Sequence, residues 1–290
     1  MLTASDITGI LETHYKREAN SEERSFPIRG SAMGSCPRRL SSLLAKRRTV
    51  PLTYKAGRVF EDGHDRGVSI GRAFAESYRG PGKVLLEHAV WTTIPGIQYP
   101  EVLVTLAQSW SSDEDFEGPS LRVHLGQLQV RSRCDIVIAY PDRHCDVIEV
   151  KGKNGFGFKK LEEEGIGVEY ETQGAFQVRG LEEEGLVVDS IHWLFESKDT
   201  QEWKPIGGAG FVHASVKSAL AHAASILNAY SKPGFTGDEG TPIHIPAGGG
   251  KLPWQCNYCS VGPLVGNCCL SKTLIDRRKP GALMPAWEAV

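Results

Sequence analysis

The sequence predicts a mixed domain, α/β or α+β, in which helices and strands share a core. Three observations carry that reading. Residues 36–79 hold apolar groups at spacings of three and four. Residues 83–151 hold runs that are rich in β-branched residues or that alternate. Residues 169–230 then return to a helix, a strand and a helix. With 290 residues, 40% hydrophobic and 23% charged, the chain is long enough for a sizeable core and ordinary for a soluble globular protein.

Residues 1–30 form a polar segment in which KREANSEERS reads as a solvated surface. CPRRLSSLLAKR (36–47) predicts a helix with Pro37 in its first turn. A second helix is expected over roughly 54–79, where Phe60, His64, Gly67, Gly71, Phe74 and Tyr78 recur on one face. Its glycines imply close packing against a neighbour, since glycine is otherwise costly inside a helix. Strands are expected at 83–94 (KVLLEHAVWTTI), 101–110 (EVLVTLAQSW) and 121–132 (LRVHLGQLQVRS), with the acidic loop SSDEDFEGPS before the third. CDIVIAYPDRHCDVIEVK (134–151) reads as a hairpin around PDRH. EYETQGAFQVRGLEEEG (169–185) predicts a helix stopped by Gly185, SIHWLFES (190–197) a strand, and HASVKSALAHAASILNAY (213–230) an alanine-rich helix. Loops at SKPGFTGDEGTP and PAGGGKLP lead to a tail containing WQCNYCSVGPLVGNCC. The expected organisation is the 1–30 segment, a domain over 31–275 that includes the cysteines at 256–269, and a tail over 276–290.

The formal net charge of −2 excludes global basic character, so a polyanion site would have to be a local patch. MLTASDITGI is not a secretory signal, and no uncharged apolar run approaches the ~20 residues that span a bilayer. The expected location is the cytoplasm, with no membrane partner. Seven cysteines, an odd number without an export signal, point to metal binding rather than disulfides.

The hairpin carries charges where apolar residues belong. Glu149 and Lys151 are two apart and share one face of their strand. If Asp135 pairs with either, all three groups converge, and Ile136, Ile138, Ile148 and Val150 take the other face, toward the core. A one-residue slip would send Asp135 to the opposite side. Two close carboxylates repel unless a positive charge lies between them, and carboxylate oxygens suit Mg²⁺ or Mn²⁺. A lysine beside such a cation can orient an attacking water and offset developing negative charge, which suits phosphodiester hydrolysis. The plainer reading is an ion pair. The apolar setting on both sides raises the odds of the functional one.

Cys256 and Cys259 form C-x-x-C, and Cys268 and Cys269 are adjacent, with side chains that tend to diverge. The tail therefore supplies three ligands most simply, and Cys36 is the candidate fourth. Such a set fits zinc or an iron–sulfur cluster, and spacing does not separate them. Cys134 and Cys145 sit in the hairpin strands and read as buried small hydrophobes.

Asp135, then thirteen residues, then Glu149-Val150-Lys151 resembles the PD-(D/E)XK nuclease superfamily. His64 in EDGHDRG, Gln173 on the helix after the lysine strand, and Cys36 with the C-terminal cysteines narrow the resemblance to the RecB-like branch. Its iron–sulfur members include CRISPR-associated exonucleases and AddB-type nuclease domains. The resemblance covers roughly residues 30–270 and implies a restriction-endonuclease-like core, a central mixed β-sheet flanked by helices. It implies catalytic roles for Asp135, Glu149, Lys151 and Gln173, and a metal site of His64, Asp135, Glu149 and the Val150 carbonyl. It also implies a [4Fe–4S] cluster, rather than Zn²⁺, on Cys36, Cys256, Cys259 and Cys268, joining the first helix to the tail. Cys268 is chosen over Cys269 because it gives the shorter spacing. Gln177 stands where the branch has a tyrosine that contacts the substrate strand.

Arg38 and Arg39 near the cysteines, and Lys153, Lys159 and Lys160 in KGKNGFGFKK, are candidate DNA contacts. Phe156 and Phe158 lie among them for stacking on unpaired bases, in what reads as a mobile glycine loop. The expected function is a metal-dependent DNA nuclease, an exonuclease on single-stranded or free ends. The alternative is a non-catalytic DNA-end-binding or adaptor module in a recombination, repair or CRISPR adaptation complex. A redox protein using the cluster alone would leave the hairpin charges unexplained.

Overall fold

The structure is a computed structural model that describes residues 12–13, 28–34, 40, 44, 54–108, 120–209 and 216–232. Cys36, Arg38, Arg39 and all four tail cysteines lie outside the described residues, as does the 36–47 helix apart from Leu40 and Leu44, both helical and buried. After a short 3₁₀ turn at Gly30–Ala32, the order is α1 (Tyr54–Ser77), β1 (Lys83–Ile94), α2 (Pro100–Gln108), β2 (Leu121–His124) and β3 (Gln127–Ala139). Then follow β4 (His144–Lys153), α3 (Gly155–Glu164), α4 (Val168–Glu183), β5 (Val187–Ser197), β6 (Trp203–Gly208) and α5 (Val216–Ser231).

The strands form one mixed sheet in the order β1-β3-β4-β5-β6, with the short β2 also paired to β3. β4 and β5 run parallel and every other pair is antiparallel. The parallel pair is joined through α3 and α4, as a parallel connection requires a crossover. The protein is therefore α/β with a mixed central sheet flanked by helices.

Two expected strands are corrected. Residues 101–108 are helical: α2 begins at Pro100, where its missing N–H costs nothing, with Glu101 in the first turn. Pro100, Leu103 and Ala107 are buried, a helical spacing, and α2 packs on β2 and α5. A short apolar run fits either period, and packing decided it. Residues 121–132 are not one strand. Leu125 (φ 50°) and Gly126 (φ 73°) both adopt left-handed conformations and turn the chain back between β2 and β3. Two positive-φ residues are what a tight hairpin turn needs, and leucine gave no sign of one.

The β3–β4 hairpin forms as expected, with Ile136 opposite Ile148 and Ile138 opposite Asp146. Continuing that register one step sets Asp135 opposite Glu149. Both faces of the sheet are covered. Ile136 lies under α1, where a Cβ at Gly71 would stand 3.9 Å from its Cγ1 and 3.3 Å from Leu86. On the other face, Val178 and Leu181 of α4 join Val90, Val137, Val147 and Trp193 in one core. The carboxylate face is thus buried as well as the isoleucine face. Gly71 packs closely as expected of the helix, whereas Gly63 and Gly67 meet nothing within 4 Å among the described residues. α4 lies closest to the sheet at Gly174 and Gly180, where an added Cβ would come within 2.6 Å of Trp193 and Val90. A second core gathers Ile28, Met33, Leu40, Leu44, Phe176, Leu227 and Tyr230. No helix of the described residues is long and apolar enough to cross a membrane.

Candidate active site

Glu149 is the centre of the site. It lies on β4 with only 1% of its surface exposed, and both of its carboxylate oxygens accept hydrogen bonds. The Lys151 ammonium donates to Oε1 at 2.6 Å, from two residues along the same strand and face. The Gln173 side-chain amide also donates to Oε1. Gln177, one turn further along α4, donates to Oε2 at 2.6 Å. The spacing of four puts both glutamines on the helix face that meets the sheet. Asp135 comes in from β3, and its Oδ2 accepts the backbone N–H of Val150 at 2.8 Å.

The charges do not balance. Burial, and then the neighbouring Glu149 charge, push the Asp135 carboxyl up to about 7, although Lys151 and the Val150 N–H pull the other way. The Lys151 ammonium is raised above its ordinary value. Burial works against its charge, but Glu149 and Asp135 outweigh that penalty. Burial and the Glu149 charge thus both favour the protonated form of Asp135, and a further positive charge would favour the ionised pair. Cys134 and Cys145 are free, buried thiols, both raised chiefly by burial, in keeping with a packing role.

Asp135, Glu149, Lys151 and Gln173 are brought together, with Val150 contributing its amide. His64 is exposed on α1, on the same helical face as Gly71 two turns later. Among the described residues there is no group of three or more His, Cys, Asp or Glu that could hold a metal ion.

KGKNGFGFKK is not the expected glycine loop. β4 runs to Lys153, and α3 starts at Gly155, capped by the Asn154 side chain, which accepts from Gly157 N–H at 2.8 Å. Phe158 packs against the core with Leu161 nearby, which anchors the helix, while Phe156 stays 72% exposed. The Lys160 ammonium stands 5.3 Å from the Phe156 ring centre, and Lys159 is exposed. Lys153 places its ammonium 4.7 Å from the Tyr170 ring centre, with Lys151 at 5.9 Å from the same ring. Tyr170, in the first turn of α4, was not foreseen in this role. An aromatic one turn before Gln173 carries no signal until the helix is docked.

No protein-family model matches the chain, and a search of curated proteins finds no match. Among solved structures, one described as "Crystal structure of SSO0001" is similar at 12% identity and a TM-score of 0.49, covering 88% of this chain and 94% of that one.

Proposed function

We propose that the chain is a divalent-metal-dependent deoxyribonuclease with a restriction-endonuclease-like core, acting as an exonuclease on single-stranded or free DNA ends. The observation that carries the reading is the buried pair of Asp135 and Glu149, with Lys151 bonded to one of them. Two carboxyls on one buried face, one holding its proton up to about pH 7, form a donor set short of positive charge. That set fits a hard divalent cation, Mg²⁺ or Mn²⁺. Asp135 and Glu149 would hold the ion, with the Val150 carbonyl and His64 as further ligands that the resemblance supplies. A cation there supplies Lewis acidity for attack of water on phosphorus. The Lys151 ammonium, fixed by Glu149, offsets the negative charge that builds on the phosphoryl oxygens. Gln173 keeps the Glu149 carboxylate turned toward the site.

The surroundings support a nucleic-acid substrate. Lys153 sets its ammonium beside the Tyr170 ring, which Lys151 also approaches, so a phosphate-neutralising group and an aromatic ring adjoin the carboxylates; Lys160 stands beside the exposed Phe156 on α3. An exposed phenylalanine favours unpaired bases, which offer a free π-face. The proposed staple of Cys36, Cys256, Cys259 and Cys268, carrying [4Fe–4S] with Zn²⁺ as the other candidate, rests on the sequence alone. So do the proposed contacts at Arg38 and Arg39. Cleavage of end-labelled single and double strands, with Mg²⁺, with Mn²⁺ and with chelator, tests the activity. A chain that binds DNA ends but cleaves under none of these conditions would be the adaptor module instead.

A further inference from the structure

We infer that Gln177 is a positioning residue that fixes the Glu149 carboxylate for metal binding, an inference that rests on Glu149 being a metal ligand. Gln177 is completely buried. Its side-chain NH₂ donates twice: to the Arg133 carbonyl of β3 at 2.7 Å and to Glu149 Oε2 at 2.6 Å. The amide therefore ties a side chain on β4 to the backbone of β3, the strand that carries Asp135 two residues later. The two carboxylates are held in one frame by a group that belongs to neither strand. The orientation is unambiguous, because turning the amide over would set its oxygen against two acceptors.

A packing role alone does not explain this residue. An apolar side chain of similar length would fill the same space without desolvating an amide. The amide oxygen, Oε1, is buried and finds no partner among the described residues, so half of the group is held at a loss. What is retained is the donating half, and both of its bonds bear on the site. Gln173 binds Oε1 of the same carboxylate, and with Gln177 on Oε2 the group cannot rotate. Nor is Gln177 exposed to meet a DNA strand, so this position cannot supply the substrate contact that the resemblance places there.

The test is Mn²⁺ binding by the whole chain, measured by calorimetry, alongside the Mn²⁺ dependence of cleavage. Gln177→Met keeps the volume and removes both donors. It should weaken Mn²⁺ binding by about 10–100-fold, the usual effect of losing a group that orients a metal ligand, and raise KM for Mn²⁺ by the same factor. A merely structural role would lower stability and leave the Mn²⁺ midpoint in place. A folded Gln177→Met that binds Mn²⁺ as tightly as wild type overturns the inference. If that variant does not fold, Gln177→Asn decides. It keeps the amide but withdraws it by one methylene, and should show the same direction of loss; wild-type affinity there overturns the inference. A wild-type chain that binds no Mn²⁺ fails the nuclease reading itself, whereas wild-type binding with an unaffected variant fails only the role of Gln177.

Discussion

At Asp135 the unfolded chain ionises near pH 3.8, while the folded chain keeps the proton up to about pH 7. Between those values the native state binds more protons than the unfolded state. The metal-free protein should therefore lose stability as pH rises from about 4 to about 7, then level off. Asp135→Asn removes that penalty. It should stabilise the metal-free protein by about 2–4 kcal/mol at pH 8 and give no comparable gain below pH 4, read from urea unfolding at the two pH values. The same variant should abolish cleavage; a variant no more stable than wild type at pH 8 contradicts the buried, strained carboxyl. Lys151→Ala should lower the cleavage rate by ~10²–10³-fold at saturating metal, because charge on the phosphoryl oxygens is left unopposed. Asp135, Glu149 and Lys151 were legible in the sequence because charges interrupt an apolar pattern. Gln177 broke no pattern: an amide within a helix is unremarkable until its partners are known.

The element that sets the site is α4, and its glycines decide how near it sits. Gly174→Ala would drive a methyl to within 2.6 Å of Trp193, and should cost about 1–3 kcal/mol while displacing the adjacent Gln173 and slowing cleavage. Gly63→Ala on α1 is the contrast. Nothing described lies within 4 Å, so it should be neutral or stabilise by up to ~1 kcal/mol. Urea midpoints of the two variants check both, and equal effects would mean that the close approach of α4 does not matter. Long periodic elements such as α1, β1 and β5 could be read from the sequence, because many residues repeat one pattern. α2 and the β2–β3 turn could not. In α2 nine residues satisfied two periods, and at Leu125 a left-handed conformation fell on a residue that rarely adopts one.

Across the whole molecule, the sheet is clamped between α1 and α4, and Ile28, Met33, Leu40 and Leu44 belong to the second core. That brings the described residues on either side of Cys36 against α4 and α5, with the cysteine tail following α5 in the chain. If the four cysteines bind a cluster, Cys36→Ala should remove iron and visible colour together and lower stability, since metal–thiolate bonds add directly to folding free energy. Zinc without iron in anaerobically prepared wild type would contradict the cluster. The central claim concerns phosphodiester hydrolysis at Asp135, Glu149 and Lys151, and one measurement meets it most directly: degradation of end-labelled single-stranded DNA by wild type and Lys151→Ala, with Mg²⁺ or Mn²⁺ and with chelator. The account predicts metal-dependent shortening of the strand by wild type, none with chelator, and almost none by the variant. Wild type that leaves the strand intact with both metals, or a variant that cleaves it at the wild-type rate, would contradict it.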